Sequence, residues 1–340
     1  MTTDVSAGQT DRGRAAEKPS DIPAKGWKDI GARVKDSLRD DQVPLMSAGV
    51  AFFTLLALAP ALAAIVSIYG LVTSQGEAAR QIGEYTRALP ADARSLIAGQ
   101  VKSVAAGSAG GLGLALVAGV LLSLWTASAG MKQLIEAINI AYDEPETRKF
   151  LKLRGLALIL TVGLIVGIVV VLGVLAALPA ILSHSGVGSG AETVVNILRF
   201  PLLAGLMVVG LAVLYRYAPD RDDPRYRWVS WGAVIATILW IVGSVLFTIY
   251  VANFAHYNKT YGSLGAVVVL LLWLYLTAFV VILGAEINAE MERQTGKDTT
   301  EGTQLPMGRR EAYAADSVGP TAAEMKAGRK RDKVPGGAKR

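Results

Sequence analysis

The feature that most constrains this chain is an uninterrupted apolar run in its last third. Residues 264–283 are twenty positions without a single charge. At a rise of ~1.5 Å per residue such a helix spans ~30 Å, which is the thickness of the hydrocarbon core of a bilayer. A helix of this length in a soluble protein would still carry a polar edge, and this one is apolar all round. The run therefore predicts a transmembrane helix.

The composition of the whole chain agrees with a polytopic helical membrane protein. Of its 340 residues, 52% are hydrophobic and only 18% are charged, and the mean hydropathy is positive. The chain has no cysteine, which excludes disulfides, thiolate metal sites and cysteine nucleophiles. No other metal-ligand spacing is present, so we expect neither a metal site nor a cofactor.

Five further apolar segments extend this prediction to an all-α membrane domain over residues 44–293. The six spans are expected at about 45–72, 112–131, 156–182, 194–215, 229–253 and 264–285. Pro60 lies within the first span and Pro201 within the fourth, and each is predicted to break its helix because proline lacks a backbone N–H. Interrupted helices in corresponding positions can mark a transporter's binding site, and kinks that aid packing are the alternative.

The segments outside the spans are polar and predict less structure. Residues 1–25 and 294–340 are expected to be disordered tails. Residues 26–43 place Trp27 and three aliphatic side chains on one helical face, which predicts an amphipathic helix. This helix can lie on the membrane surface or pack under the bundle, and the sequence does not choose between the two. The polar interval 74–110 predicts short helices against the outer face.

Basic residues are distributed unequally between the two sides of the predicted bundle. Of the 34 Lys and Arg residues, 28 fall in the N-terminal tail, the connections after spans two and four, and the C-terminal segment. The other three connections hold 5 between them, and Arg199 lies within a span. This is the positive-inside pattern, so both termini are predicted to be cytoplasmic. The net charge of +6 is thereby explained without a nucleic-acid partner.

Four segments, taken in order, resemble the YihY/BrkB family of bacterial inner-membrane proteins. They are residues 48–60 (AGVAFFTLLALAP), 124–154, 216–240 and 253–292, the last ending in GAEINAEME. The resemblance covers roughly residues 40–293 and implies a six-span, all-helical inner-membrane protein. Members of the family have carried a ribonuclease label that is regarded as mistaken, and some have been linked to virulence or to lipid transport. The resemblance implies no established activity.

Polar residues within or beside the spans are the candidates for function. Arg199 is the one ionisable side chain clearly inside a span, ~8 Å past its outer start. It can contact an anion or a lipid headgroup in a cavity, or it can snorkel to the interface. Asn253 and Tyr261 belong to the polar, aromatic connection between spans five and six, where Tyr261 is expected in the interfacial belt. Gly163 and Gly167 predict a close helix contact.

The inner ends of spans two and six carry a second set of candidates. They are Lys132, Glu136 and Asn139 on the continuation of span two, and Glu286, Asn288 and Glu290 at the end of span six. Spacings of three and four residues place side chains on one helical face. The two carboxylates can shuttle protons or bind a cation. The alternative is an ion-pair cluster that closes the cytoplasmic side, which predicts a Lys or Arg, such as Lys132 or Arg216, within salt-bridge distance of Glu286.

Taken together, these features favour a transporter or flippase of a lipid or lipid-linked envelope component in the bacterial inner membrane. The alternative is a non-catalytic scaffold or regulatory partner of envelope machinery. A ribonuclease is disfavoured, because phosphodiester hydrolysis usually needs clustered carboxylates and histidines. The only two histidines, His184 and His256, fall on the predicted outer side. We expect membrane lipids as partners, no nucleic acid and no catalytic residues; the sequence does not specify an oligomeric state.

Overall fold

The structure is a computed structural model that describes residues 11–69, 80, 113–184, 189–254 and 264–332. Nearly all of the polar interval 74–110, for which short helices were predicted, lies outside the described residues. The described part is helical, and its one β-type contact is an isolated antiparallel bridge between Pro224 and Thr300. The helices are α1 (Ala24–Asp40), α2 (Val43–Tyr69), α3 (Gly113–Ala141), α4 (Phe150–His184), α5 (Ser189–Tyr217), α6 (Tyr226–Phe254), α7 (Leu264–Glu292), α8 (Tyr313–Asp316) and α9 (Ala322–Asp332).

Helices α2 to α7 occupy the six predicted spans. Four of them contain a described stretch that is long and apolar enough to cross a membrane: Phe150–Val171, Phe200–Tyr217, Tyr226–Asn253 and Gly265–Glu292. The count becomes five if α1 and the first part of α2, which meet at a bend of 62°, are taken as one broken span. The chain is therefore an all-helical protein with four or five candidate membrane spans, and the structure does not establish six.

Neither proline breaks its helix, which corrects the prediction made for Pro60 and Pro201. Pro60 lies inside the continuous helix α2, and Pro201 lies inside the continuous helix α5. A proline removes a single intrahelical hydrogen bond, and neighbouring helices or local adjustments in a membrane bundle can satisfy the freed backbone groups. The two residues therefore mark no interruption of the kind found in transporter binding sites.

The six long helices pack in a ring. Each of α2 to α6 contacts the next, and α7 closes the ring by packing against α2. Because α7 also contacts α1 and α3, it is the central element of the bundle. The largest buried cluster, which includes Ile135, Tyr142 and Tyr215, lies toward the end where α1 and the tails pack. We call this end of the molecule the polar end; apolar side chains cover much of the outer surface elsewhere, as expected for contact with lipid.

Helix α1 packs against the bundle, which favours the second of the two interpretations left open by its amphipathic pattern. It contacts α7 and α2. Ile30 and Val34 are buried, and Trp27 packs near Trp231 with ring centroids 6.1 Å apart. The apolar face of α1 is thus covered by protein.

The tails differ from the predicted disorder over the part that the structure describes. Residues 11–25 contain a short 3₁₀ turn, and Arg14 donates to the carbonyls of Arg293 and Gln294 just past the end of α7 (both 3.3 Å) and to that of Gly319 in the C-terminal segment (2.6 Å). In the C-terminal segment, residues 293–332, the buried Arg310 donates to four backbone carbonyls. The low hydrophobicity of the tails predicted disorder, because a segment with few apolar side chains buries little apolar surface on folding. These tails are held instead by side chain-to-backbone hydrogen bonds, which a composition argument does not detect.

Candidate functional site

The last two turns of α7 carry four polar side chains into the interior of the polar end. They are Glu286, Asn288, Glu290 and Glu292, all at most 2% exposed. They are buried because α7 is the central helix, and because α1 and both tails cover the point where it leaves the apolar zone. A buried carboxylate is costly unless it is paired and hydrogen-bonded. The partner of each group therefore determines what it can do.

Glu292 forms a fully buried ion pair. Arg221, from the α5–α6 connection, donates to both of its carboxylate oxygens at 3.2 and 2.8 Å, and both side chains are 0% exposed. The hydroxyl of Thr299 adds a third hydrogen bond at 2.5 Å. The Arg221 guanidinium also lies 5.1 Å from the ring centroid of Tyr142. This pair joins α7, the C-terminal segment and the α5–α6 connection.

Glu290 is paired with two arginines. The buried side chain of Arg33 on α1 forms an ion pair with its carboxylate and donates to its backbone carbonyl at 2.8 Å. Arg293 donates to the other carboxylate oxygen at 2.8 Å. Arg33 also reaches Gln294 (2.9 Å) and the carbonyl of Pro320 (3.0 Å). Glu290 is therefore a structural group that ties α1 and the C-terminal segment to α7.

Asn288 connects α7 to α6 rather than facing a ligand. Its amide oxygen accepts from the backbone N–H of Gly232 (2.8 Å), and its amide nitrogen donates to the carbonyl of Val229 (3.1 Å). A Cβ atom at Gly232 would lie 2.3 Å from the Asn288 oxygen and 2.4 Å from the Gly284 carbonyl oxygen. Glycine at position 232 thus permits the close approach of the two helices.

Glu286 has no cationic partner within the described residues, so the predicted salt bridge is wrong. One of its oxygens is buried without any hydrogen-bond partner. The two cations expected there are engaged elsewhere: Lys132 pairs with Glu136 at 2.5 Å, and Arg216 pairs with Glu301 at 2.9 Å. Lys132 and Glu136 are close to each other along the chain. Glu301 lies near solvent, where a charge costs less free energy than in the interior.

The neighbours of Glu286 are acidic. The carboxyl group of Asp41, in the turn between α1 and α2, interacts with that of Glu286, and the negative charges of Glu290 and Asp143 also act on it. Partial burial, together with the negative charge of Asp143, raises the pKa of Asp41 to about 6. Burial also raises the pKa of Asp143, against the opposing effect of Arg293. Sequence reasoning missed Asp41 because it precedes the first span by only a few residues and is surrounded by other charges.

The remaining predicted residues do not join this cluster. The Lys132–Glu136 pair is half-exposed, and Asn139 is buried between Glu146 (2.7 Å) and the backbone N–H of Asp220 (2.7 Å). Asn139 therefore fastens the α3–α4 connection to the α5–α6 connection. Of the three other candidates, only the side chain of Asn253 is described. The exposed Asn253 donates to the carbonyl of Ile249 (2.8 Å), whereas the side chain of Arg199 and all of Tyr261 lie outside the described residues.

A groove between α4 and α5 opens beside the polar cluster, with a volume of ≈ 620 Å³. Its polar lining is Arg148, Tyr217, Asp220, Arg221 and Asp223, and its apolar lining includes Leu156, Ile159, Leu160 and Val213. Ile159 is 70% exposed, so the apolar part faces the outer surface of the bundle. Arg148 lies 3.6 Å from Asp220, so two opposite charges of the polar part face each other. The only sequence signal for this groove is the set of charged residues in the α3–α4 and α5–α6 connections, which flank apolar helices.

Among the residues that the structure describes, no group of three or more His, Asp or Glu side chains is placed to hold a metal ion. The carboxyl groups around Glu286 therefore form no cation cage of the usual kind. The carboxyl groups around Glu286 can bind and release protons.

Comparisons with known proteins agree with the helical membrane architecture. The family model described as virulence factor BrkB matches residues 34–306. The protein YfkH of Bacillus subtilis, whose name describes it as ribonuclease-like, is 34% identical over 257 residues, which are 73% of this chain and 90% of YfkH. A UPF0761 membrane protein of Verminephrobacter eiseniae is 26% identical over 277 residues, 79% of this chain and 63% of that protein. No solved structure matches the chain. The chain therefore belongs to the virulence factor BrkB family of membrane proteins.

Proposed function

We propose that this protein is a transporter or flippase that moves a lipid or lipid-linked envelope component across the bacterial inner membrane. The groove between α4 and α5 is the observation that carries the proposal. Its volume of ≈ 620 Å³ falls within the ~300–1,000 Å³ of typical ligand pockets. Its lining is polar at one end and apolar over the rest, which matches the headgroup and the acyl chain of a lipid molecule.

The dimensions of the groove support the same substrate class. Nine residues separate Phe150, at the start of α4, from Ile159, which corresponds to ~14 Å along the helix. This is about half of a ~30 Å hydrocarbon core, so an acyl chain lying along Ile159 would reach about the bilayer midplane. The headgroup would then meet Arg148 and Asp220, whose opposite charges suit a head that carries no large net charge.

We further propose a membrane orientation in which the polar end and both tails are cytoplasmic and all six long helices cross the bilayer. The support is the distribution of basic residues, 28 of 34 of which belong to the tails and to the connections at this end. The protein would act without covalent chemistry, in contrast to what the ribonuclease-like name of YfkH suggests for that relative.

Headgroup movement in proteoliposomes tests the transport proposal. Fluorescently labelled lipids are incorporated with the purified protein, and the fraction accessible to an impermeant quencher is measured over time. Ile159→Trp should fill the apolar part of the groove and slow headgroup movement. Ile238→Trp, at an exposed apolar position on α6, is the matched control and should not slow it. Absence of movement for every lipid class tested, in wild-type protein with its full helical content, would refute the proposal.

A scaffold for envelope machinery is the second candidate, because the C-terminal segment is ordered. Its buried Arg310 and the short helices α8 and α9 give the polar end a defined outer surface, which a partner protein can recognise. Wild-type protein that binds a partner through this surface but moves no lipid would favour this function over transport.

A further inference from the structure

The surroundings of Glu286 contain more negative than positive charge. Four carboxyl groups belong to this cluster: Asp41, Asp143, Glu286 and Glu290. Only two cations meet them. Arg33 pairs with Glu290, and Arg293 lies 2.8 Å from Glu290 and 3.7 Å from Asp143. The pair formed by Asp41 and Glu286 is left without a cation.

The helices packed around α7 supply no further charge to this pair. Helix α2 has no charged residue, and the charges on the described part of α3 are the Lys132–Glu136 pair, which is internally satisfied. Helix α6 carries only Arg227, which is exposed. On α1 Asp40 adds another negative charge, and the basic residues Lys35 and Arg39 are exposed. Electrostatic relief for the two carboxyl groups therefore cannot come from a neighbouring side chain.

A hydrogen bond between these two carboxyl groups requires a proton. Two ionised carboxylates are both acceptors, so a hydrogen bond between the side chains of Asp41 and Glu286 can form only if one of them is protonated. The second oxygen of Glu286 is buried and unpartnered, which also disfavours a charge on that residue. Two like-charged carboxylates sharing one proton is a well-established arrangement in proteins.

The backbone beside Asp41 adds an independent observation. Helices α1 and α2 meet at the two-residue turn formed by Asp41 and Gln42, with a bend of 62°. Gln42 has a φ of 52°, a left-handed conformation that is uncommon for residues other than glycine. Such a conformation persists only where the surrounding structure holds it in place. Asp41 directly precedes Gln42, so its interaction with Glu286 acts on this turn.

We propose that Asp41 and Glu286 form a proton-binding site that fastens the α1–α2 turn to α7. With the proton bound, the two carboxyl groups share a hydrogen bond and the turn is docked. When the proton leaves, two adjacent negative charges repel each other and the turn loosens from α7. Burial and the charge of Asp143 raise the pKa of Asp41 to about 6, so above this pH Asp41 is the charged acceptor of the pair and the one remaining proton is shared with Glu286. The site stands on its own contacts and does not depend on lipid transport.

Infrared spectroscopy of the full-length protein in proteoliposomes tests whether the proton is there. The wild-type protein should show a C=O stretching band of a protonated carboxyl group, which disappears as the pH is raised. Glu286→Gln should remove this band. Glu136→Gln, which alters a half-exposed carboxylate paired with Lys132, is the control and should leave it unchanged. A band that persists in Glu286→Gln, or is absent from the wild type at mildly acidic pH, would overturn the proposal.

Hydrogen exchange separates a proton-operated contact from a merely structural one. After correction for the intrinsic pH dependence of exchange, protection of the α1–α2 turn should fall as pH rises in the wild type. In Glu286→Gln it should be independent of pH, because an amide can hold the hydrogen bond at every pH. Asp41→Asn should behave in the same way and covers the case in which Glu286→Gln does not fold. Protection that does not change with pH in the wild type would contradict the proposal. Neither the infrared nor the hydrogen-exchange measurement relies on transport.

Discussion

The buried ion pair between Arg221 and Glu292 allows the sharpest test of how the polar end is held together. Replacing Arg221 with Met preserves side-chain volume but removes the charge and both hydrogen bonds to the carboxylate. Glu292 would then be left 0% exposed with Thr299 as its one remaining side-chain partner. Because the carboxylate cannot reach water, we expect a large loss of stability.

The magnitude follows from the burial of both partners. Removing one member of a buried ion pair typically costs ~3–5 kcal/mol, because the other charge is left uncompensated. Each kcal/mol lowers the midpoint of thermal unfolding by roughly 2–4 °C in a domain of about this size, so Arg221→Met should lower it by about 10 °C. The double variant Arg221→Met/Glu292→Met removes the orphaned charge and should recover most of the loss.

Thermal unfolding in detergent, followed by the intrinsic fluorescence of the tryptophans, is the assay. Lys132→Met is the matched control, because it breaks the half-exposed pair with Glu136, whose side chains are 25% and 35% exposed. Such pairs contribute only about 0–1 kcal/mol, so the midpoint should fall by less than about 3 °C. If Arg221→Met and Lys132→Met lowered the midpoint equally, burial would not be what makes the first pair important.

Three further predictions concern other parts of the polar end. Gly232→Ala should cost about 1–3 kcal/mol in unfolding free energy, measured in the same assay, because its Cβ would overlap Asn288 and the Gly284 carbonyl. The pKa of Asp41 rises from 3.8 to about 6 on folding, so the free energy of unfolding should fall as pH rises from 4 to 6. The fall should be about 1 kcal/mol, a value discounted for the half-exposure of Asp41, and Asp41→Asn should remove this pH dependence. Arg310→Ala should make the C-terminal segment sensitive to trypsin while the bundle keeps its unfolding midpoint.

The positions of the long helices could be predicted from hydropathy, because a run of apolar residues is itself the physical requirement for crossing a bilayer. Span five was expected at 229–253, and the helix is Tyr226–Phe254. Span six was expected to end at 285, whereas α7 continues to Glu292. The spacing of Glu286 and Glu290 placed them on one helical face at this end, but hydropathy could not predict their burial, because that depends on residues at both ends of the chain.

Side-chain partners were the part that the sequence could not provide. Asp41 and Glu286 are 245 positions apart, and no local spacing relates them. The glycine prediction failed for a similar reason. A Cβ at Gly163 or Gly167 would meet nothing within 4 Å, whereas Gly284 faces the hydroxyl of Tyr215. A small-residue pattern gives the spacing of a close contact, but only packing decides which face of a helix points inward.

The membrane orientation underlies the proposed transport function, and the absence of cysteine makes it directly measurable. Single cysteines are introduced at Ser20, Ser185, Asp222, Asn258 and Thr303. Cells with a permeabilised outer envelope and an intact inner membrane are then treated with a membrane-impermeant maleimide. If both tails are cytoplasmic, only Ser185→Cys and Asn258→Cys should be labelled, and the other three should be labelled only after the inner membrane is permeabilised. Labelling of Ser20→Cys, Asp222→Cys or Thr303→Cys in unpermeabilised cells would contradict it.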